Sequence, residues 1–462
     1  MNWVPAVISV RAIGFQAPHS PLPRRLQPRY TAAMIPDATR RGFIALPATT
    51  ALLQSTPRTA ELQQLIDAAS TKGGGTVLLP PGRHLSGTLR LRSNVRLWLE
   101  PGAILEGSRD LADYTVLPGP VRGYTDNYTD KSLIHAEDAE NVSIEGRGTI
   151  DGQGAAFKGP YKVRPYMIRM IRCRNVAVSG VTIRDSPMWV QHYLACDGVA
   201  IHGITVHSRV NHNNDGIDID SCRRVRISDC DISSGDDAIV LKSTTLEPCR
   251  DIAVTNCTLS TACNAFKLGT ESNGGFEDIV MSNCTIYDTR LSGIALEIVD
   301  GGVMAGVTIT NVSMRNVGAP LFARLGDRAR PSVSDGPKQP AGRLRNVTLS
   351  GIRARACGPV GCAFAGLPGH PLENISLSDI RLEFVGGGTE EDARRAIPEK
   401  RDAYPEFQMF GKLSAFGLFL RHARNLRLRD IELVTEKPDA RPPVVAIDVE
   451  GLKTENTPPV TK

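Results

Sequence analysis

The chain has 462 residues, with 54 lysines and arginines against 49 aspartates and glutamates, so its formal net charge is +5. Hydrophobic residues make up 41% and charged residues 22%, a balance that excludes a predominantly disordered chain. Aromatic residues reach only 5%, beside 43 glycines and 31 prolines, so small and branched side chains must build the core. This composition is typical of a repeat architecture.

The first 55 residues differ from the rest. They hold six arginines and one acid, which leaves 48 cations (54 minus 6) and 48 anions (49 minus 1) in 56–462. That part is formally neutral, so we expect no nucleic-acid partner. Arg40 and Arg41 precede the weakly apolar stretch 42–53, an order that resembles a twin-arginine export signal; the alternative is a basic disordered tail. We predict a leader over 1–55 and a secreted or periplasmic protein. No stretch reaches the ~18 apolar residues that a bilayer span needs.

A repeat begins near Val142, in which apolar residues alternate with polar ones on both sides of a short bend. Copies start at residues 176, 199, 225, 252, 279 and 307, at intervals of 23, 26, 27, 27 and 28 residues. Each copy reads as one rung that cannot bury its apolar face alone, so the rungs must stack. We predict an all-β, single-stranded right-handed parallel β-helix of about ten rungs over 56–450, with loops at 184–198, 326–346 and 386–420. Residues 451–462 are predicted to form a flexible tail.

The repeat register explains most cysteines without invoking chemistry. Cys230, Cys257 and Cys284 share one inward position and are predicted to form a core column of free thiols. Asn256, Asn283 and Asn311 share the preceding bend, where side-chain amides can hydrogen bond along the stack. Cys357 and Cys362 are close enough in sequence for a local disulfide. No cysteine and histidine spacing is typical of zinc, and we predict no metal and no cofactor.

One further strand in each rung carries the candidate chemistry. Its copies begin at residues 215, 237, 264, 292 and 319, and their third and fifth positions are apolar, so these must point inward. The first, fourth and sixth positions then form a groove floor.

Crowded carboxylates on this floor raise one another's pKa, which keeps a general acid protonated. Two carboxyl groups about a sugar bond are the usual apparatus of glycoside hydrolysis, and a separation of ~6.5–9.5 Å gives inversion. An acidic calcium site is the alternative. The candidate floor residues are Asp215, Asp218, Asp220, Asp236, Asp237, Lys242, Lys267, Glu297, Phe322 and Arg324.

Three segments carry a resemblance to a known family. They are Ser-Pro-Met-Trp at 186–189, Asn-Asn-Asp-Gly-Ile-Asp at 213–218, and Gly-Asp-Asp-Ala-Ile-Val-Leu-Lys-Ser at 235–243. Together they resemble glycoside hydrolase family 28, the polygalacturonase family, over roughly residues 60–440. The resemblance implies a right-handed parallel β-helix and hydrolysis of pectic glycosidic bonds with inversion.

The same resemblance implies roles for individual residues. Asp236 matches the general acid that protonates the leaving oxygen. Asp215 and Asp237 match the pair that activates the water, and Asn213 matches the asparagine that orders the site.

Two departures bear on the substrate. The family's Gly-His-Gly falls at 263–265, which puts Asn264 in place of the histidine, and its Arg-x-Lys falls at 295–297, which puts Glu297 in place of the lysine. A carboxylate there suits the hydroxyls of a neutral sugar better than a galacturonate, unless Lys267 and Arg324 compensate. The predicted substrate-binding residues are Asn213, Asn264, Lys267, Glu297, Phe322 and Arg324. The segment 404–411 is similar to bacterial members that act on chain ends.

Three functions follow from these observations. The first is an inverting, exo-acting glycoside hydrolase on pectic polysaccharide or oligosaccharide, active as a monomer. The second is a calcium-dependent polysaccharide lyase with Lys242 or Lys267 as the base. The third is a non-catalytic carbohydrate-binding solenoid, which the missing histidine and cationic pair would permit.

Overall fold

The computed structural model describes residues 43–45, 56–117, 119, 121 and 128–462. Arg40 and Arg41 lie outside these residues, so the export signal and the 1–55 leader stay predictions. Within the described ranges, none of the helices has the length and apolar character that a bilayer crossing requires.

Short strands dominate the molecule, and two helices accompany them. The helices are α1 (Thr59–Thr71) and α2 (Glu390–Arg394). The strands are β1 (Phe43–Ala45), β2 (Gly75–Leu79), β3 (Gly82–Ser86), β4 (Leu89–Arg90), β5 (Val95–Leu99), β6 (Ala103–Gly107), β7 (Ser132–Glu137), β8 (Glu140–Gly146), β9 (Thr149–Asp151), β10 (Tyr166–Ile171), β11 (Arg174–Ser179), β12 (Thr182–Arg184), β13 (Gln191–Leu194), β14 (Asp197–His202), β15 (Thr205–Ser208), β16 (Ile217–Asp220), β17 (Arg223–Ser228), β18 (Asp231–Ser234), β19 (Ile239–Ser243), β20 (Cys249–Thr255), β21 (Thr258–Thr261), β22 (Phe266–Ser272), β23 (Gly275–Ile298), β24 (Val303–Leu325), β25 (Arg343–Cys357), β26 (Cys362–Ala365), β27 (Leu372–Phe384), β28 (Leu418–Arg424), β29 (Arg427–Thr435), β30 (Val444–Glu450), β31 (Lys453–Glu455) and β32 (Val460–Thr461).

These strands form parallel stacks that wind round one core. One stack runs β2, β5, β8, β11, β14, β17 and β20 before entering the long strands β23 to β25. Another runs β7, β10, β13, β16, β19 and β22, and it continues through the ends of β23 and β24 to β26, β28 and β30. Parallel strands joined by crossovers wind right-handedly. The predicted right-handed parallel β-helix is confirmed.

Helix α1 packs against the first rungs of the solenoid. Its residues Leu62, Ile66 and Ala69, spaced to share one helical face, are buried. They pack in the same apolar cluster as Val77 of β2 and Leu89 of β4. The helix therefore covers the apolar core at the first rungs, where β1 also pairs with β2.

The cysteines and asparagines that recur in the repeat occupy the positions predicted for them. Cys230, Cys257 and Cys284 are buried in the core as free thiols, and Asn311 donates its side-chain amide to Asn283 at 2.7 Å. The local disulfide is wrong: Cys357 of β25 and Cys362 of β26 are both free thiols, buried in the same core cluster.

The excursions differ in part from expectation. Residues 184–198 contain the strand β13 and are thus part of a rung rather than a plain loop. The chain between β27 and β28, here named the 385–417 loop, is the long excursion expected at 386–420. At the predicted tail, β31 pairs with β29 and β32 pairs with β30, so the parallel stacking continues there.

Candidate active site

Three consecutive strands position the candidate site. Ile217 of β16 lies beside Ile239 of β19, which lies beside Phe266 of β22, and all three are in the core. Backbone hydrogen bonds also join the bends just before these strands. The Gly216 N–H donates to the carbonyl of Asp237, and the Ala238 N–H donates to the carbonyl of Asn264. The side chains on the three bends are consequently about one rung apart, ~4.8 Å.

The structure brings the three predicted catalytic carboxylates together. Asp215 and Asp237 are buried, while Asp236 on the bend between them is half-buried. The Oδ1 atom of Asp237 accepts from the backbone N–H of Asn264 at 3.1 Å and from its side-chain amide at 2.9 Å. Its Oδ2 lies 3.2 Å from the Nζ of Lys267. Asp236 is thus the carboxyl group of the three that faces outward.

The surroundings give these carboxyl groups different proton affinities. Burial, with the adjacent charge of Asp237, raises the pKa of Asp236. Burial opposes ionisation of Asp237 as well, but Lys267 and Lys242 outweigh it and lower the pKa of that group. Burial and the charge of Asp218 raise the pKa of Asp215 well above its usual range. A carboxyl group with a raised pKa beside one with a lowered pKa is the arrangement that a general acid and a general base require.

Asn213 lies next to the candidate acid. The backbone of Asn213 has a φ of 55°. Its side-chain Oδ1 accepts a hydrogen bond from Arg164 at 2.9 Å, and its side-chain amide donates to Asp236 at 3.5 Å. Arg164 also donates to the carbonyl of His212 at 2.6 Å. Sequence reasoning missed Arg164, because it lies on an irregular segment with no repeat signal.

Lys242 lies beneath the carboxylates rather than on an open floor. Its Nζ is 3.8 Å from Asp215, and 3.6 Å from both Asp218 and Glu271. The Trp189 ring covers it at 4.8 Å. The cation is therefore enclosed by three carboxyl groups and an indole ring, and it is unavailable as the exposed base of a lyase.

Lys267 and Glu297 are also less exposed than predicted. The Lys267 side chain is 3% exposed and that of Glu297 is 0% exposed, with their charged atoms 3.8 Å apart. Glu297 accepts a hydrogen bond from Thr270 at 3.2 Å, and burial raises its pKa to about 8. Glu297 thus lies buried beside Lys267 and is not accessible to a substrate. This corrects its predicted role in substrate binding.

Glu406 was missed as a site residue. It lies on the 385–417 loop, and its Oε1 is 4.0 Å from the Nζ of Lys267. Burial raises its pKa to about 7. The sequence predicts a loop over 404–411, but no periodicity indicates where its side chains point.

Phe322 and Arg324 do not line the groove. Phe322 is buried with Phe407 and Phe410 of the 385–417 loop. Arg324 is 0% exposed and donates to the backbone carbonyls of Gly366 (3.0 Å), Glu399 (2.8 Å) and Lys400 (3.1 Å). Both residues point outward from their strand as predicted, but the loop docks on them. Their predicted substrate-binding role is corrected to loop anchoring.

Replacing Arg324 with methionine is expected to lower the free energy of unfolding by about 2–3 kcal/mol, because buried carbonyls lose their donor. The matched control is Arg315→Met on the same strand, whose exposed pair with Asp288 contributes at most about 1 kcal/mol. Urea denaturation of both variants measures the difference. Equal losses in the two variants would contradict the anchoring role.

One group of potential metal ligands occurs among the described residues. Single side-chain atoms of Asp236, Asp237 and Cys263 lie within 4.8 Å of one another. Burial, with the charges of the two aspartates, raises the pKa of the Cys263 thiol, so it stays protonated. Calcium takes six to eight oxygen ligands, and two carboxylates beside a neutral thiol do not fit it. The calcium alternative therefore finds no support in this group.

Comparisons with known proteins agree with the fold and with the family resemblance. A family model described as Glycosyl hydrolases family 28 matches residues 86–400. A probable polygalacturonase of Vitis vinifera is 37% identical over 187 residues, which are 37% of this chain and 38% of that protein. A probable polygalacturonase of Arabidopsis thaliana is 35% identical over 130 residues, 28% of each chain. The chain thus spans less than two fifths of these curated relatives.

Two solved structures are similar over most of the chain. A family 28 exopolygalacturonase of Yersinia enterocolitica superposes with a TM-score of 0.71 at 19% identity, over 90% of this chain and 79% of that one. An exopolygalacturonase of Thermotoga maritima gives 0.64 at 21% identity, over 82% and 88%. At these identities the likeness shows the solenoid fold.

Proposed function

The chain belongs to family 28 of the glycosyl hydrolases, and on that basis we propose that it hydrolyses O-glycosidic bonds of pectic polysaccharides or oligosaccharides. The observation that carries the proposal is the pair Asp236 and Asp237, whose pKa values are moved in opposite directions. The names of the partial relatives, which are probable polygalacturonases, agree with a pectic substrate.

In the proposed reaction Asp236 donates its proton to the leaving glycosidic oxygen as the bond from that oxygen to the anomeric carbon breaks. Asp237 takes a proton from the water whose oxygen forms the new bond to the anomeric carbon. Asp215 lies one rung before Asp237, and its raised pKa makes it a hydrogen-bond donor rather than a second base. This assignment differs from the equal pair that the resemblance implies.

Inversion is proposed from the way Asp237 is held. One side-chain oxygen of Asp236 lies within 4.8 Å of one of Asp237, closer than the ~6.5–9.5 Å typical of inverting pairs. However, both oxygens of Asp237 are engaged, by Asn264 and by Lys267. Attack on carbon would break one of these contacts, whereas accepting a proton from water uses a remaining lone pair. We therefore expect water to be the nucleophile.

Action at chain ends is proposed from the 385–417 loop. Phe407 and Phe410 pack on the stack that continues from the site, and Glu406 approaches Lys267. A loop seated there closes one end of the groove, so a polysaccharide could not extend past it. This favours release of short products from chain ends.

Export and a monomeric state remain proposals as well. Export is supported by the arginine pair and the apolar stretch after it. A polymeric substrate outside the cell would be consistent with export.

The test is incubation of the protein with pectin, rhamnogalacturonan and their oligomers, with reducing ends and product anomers followed by NMR. New reducing ends of inverted configuration, released one or two sugars at a time, support the proposal. An unsaturated, ultraviolet-absorbing product that requires calcium would establish the lyase instead. Binding without turnover of every substrate would establish a carbohydrate-binding solenoid.

The pH profile of kcat offers a second check, through Lys267→Met. Asp237 must be ionised, so activity falls as pH falls through its pKa; Asp236 must be protonated, so activity falls as pH rises through its pKa. Without Lys267 the pKa of Asp237 rises, and we expect the acid limb to move up by at least about one pH unit. The exposed Lys453→Met serves as control. An unmoved acid limb would contradict the assignment of Asp237 as the base.

A further inference from the structure

The cations nearest the catalytic pair are already matched by carboxylates. Lys267 lies within 3.2–4.0 Å of Asp237, Glu297 and Glu406, so one ammonium faces three carboxyl groups. Arg324, the other cation expected to hold a substrate carboxylate, is buried under the 385–417 loop. A uronate beside Asp237 would therefore compete with three carboxyl groups for a single ammonium.

Other basic side chains around the site also pair with carboxyl groups. Lys242 lies among Asp215, Asp218 and Glu271. Arg328 donates to Asp300 at 2.8 Å, and Arg330 pairs with Glu271. His212, on the other side of Asp236, has its pKa lowered by burial and by the nearby Arg164, so it is neutral at pH 7. Arg164 has no carboxylate partner among the described residues, but it is buried and donates to the His212 carbonyl and to Asn213.

Glu406 has the features of a hydroxyl-binding group. Its side chain is 23% exposed, whereas those of Lys267 and Glu297 are nearly or wholly buried. Its Oε2 accepts no hydrogen bond from the described part of the chain. A hydrogen bond links its side chain to Asn264, the residue that stands in place of the family's histidine. Glu406 is thus a partly exposed side chain next to the catalytic column, and its unpartnered oxygen Oε2 is buried.

Tyr404 adds an apolar surface two residues before Glu406. It is 53% exposed, its hydroxyl hydrogen bonds with Thr270 at 3.1 Å, and its ring lies 5.7 Å from the Nζ of Lys267. An aromatic face fixed in this way can pack against the C–H face of a sugar ring. An acceptor carboxyl beside an aromatic face suits a sugar that offers hydroxyls and no acid group.

Resting on the proposed glycosidase function, we propose that Glu406 is a specificity-determining residue that binds hydroxyl groups of a neutral sugar in the subsite beside the cleaved bond, and that this subsite rejects a uronate. The rejection follows because the substrate carboxylate would approach the ionised Asp237, while Lys267, the ammonium beside it, is already shared by Asp237, Glu297 and Glu406. The neutral residue is hydrolysed from the end of a pectic chain, because the loop that carries Glu406 also closes the groove.

The experiment compares two oligosaccharides that share one leaving saccharide and differ in the terminal sugar, which is neutral in one and galacturonate in the other. For the unaltered protein we expect kcat/KM to be at least about tenfold higher on the neutral substrate. Glu406→Gln, which keeps the size and removes the charge, should reduce that preference at least about tenfold. Glu406→Ala should raise KM for the neutral substrate more than it lowers kcat.

The control is Glu391→Gln, an exposed carboxylate in α2 of the same loop, which should leave the preference unchanged. Melting curves of each variant check that the solenoid remains folded. Equal or faster hydrolysis of the galacturonate substrate, or an unchanged preference in Glu406→Gln, overturns this inference while the hydrolase proposal stands. Hydrolysis of neither substrate, and of no other pectic oligomer, overturns both.

Discussion

Asp236→Asn is expected to lower kcat by about 10²–10⁴-fold, because an amide cannot supply the proton that the leaving oxygen needs. Asp236 is the half-buried member of the carboxyl cluster. Its side chain accepts hydrogen bonds from the Asp237 N–H at 3.0 Å and from the Asn213 amide at 3.5 Å. Asparagine retains the size of aspartate and the acceptor for the Asp237 N–H. KM should therefore change little, and steady-state kinetics on a pectic oligomer separates the two constants.

The matched control is Asp231→Asn, on β18 just before the same bend, where the carboxylate is exposed. It should keep full activity and stability. Substantial residual hydrolysis in Asp236→Asn, with an unchanged pH profile, would exclude Asp236 as the acid and direct attention to Asp215, whose pKa is also raised.

The largest loss of stability is expected for Lys242→Met, about 3–5 kcal/mol, since removing one partner leaves buried carboxyl groups uncompensated. Lys242 is the cation nearest to Asp218, neither of whose side-chain oxygens accepts a hydrogen bond within the described structure. Asp215 and Glu271 lose the same neighbour. Urea denaturation followed by circular dichroism measures the change in unfolding free energy.

A second substitution tests the cause of that loss. Adding Asp218→Asn to Lys242→Met removes one of the abandoned acids and should recover about 1–2 kcal/mol. The exposed Lys437→Met should cost almost nothing. If Asp218→Asn gives no recovery, the destabilisation arises from lost packing against Trp189 and not from charge.

The repeating part of the fold was accessible from sequence because its signal is periodic. The inward positions Ile217, Ile239 and Phe266 recur once per rung, and the structure places them side by side. The same register located Asp215 and Asp237 on neighbouring bends. The Cys357 and Cys362 pair shows the limit, since nearness in sequence does not tell which stack each residue joins.

The non-repeating part of the site was not accessible in the same way. A strand pattern shows that Phe322 and Arg324 face outward, but not that another segment covers them. Glu406 comes from an excursion with no period, about 140 residues after Lys267 in the chain, and only tertiary packing brings the two together. A side chain that points outward from its strand is exposed to solvent only where no loop docks on it. The predicted groove floor is partly buried for this reason.

The apolar seat of the 385–417 loop has a further consequence, in kinetics. Phe322, Phe407 and Phe410 belong to a cluster separate from the inner core of the solenoid. Lifting the loop therefore exposes this cluster and releases the anchors from Arg324, yet it breaks no ladder between rungs. Such a partial opening has a lower free energy than global unfolding, and motions of this size occur in microseconds to milliseconds. Opening of this kind is the step by which a product held under the loop would leave the groove.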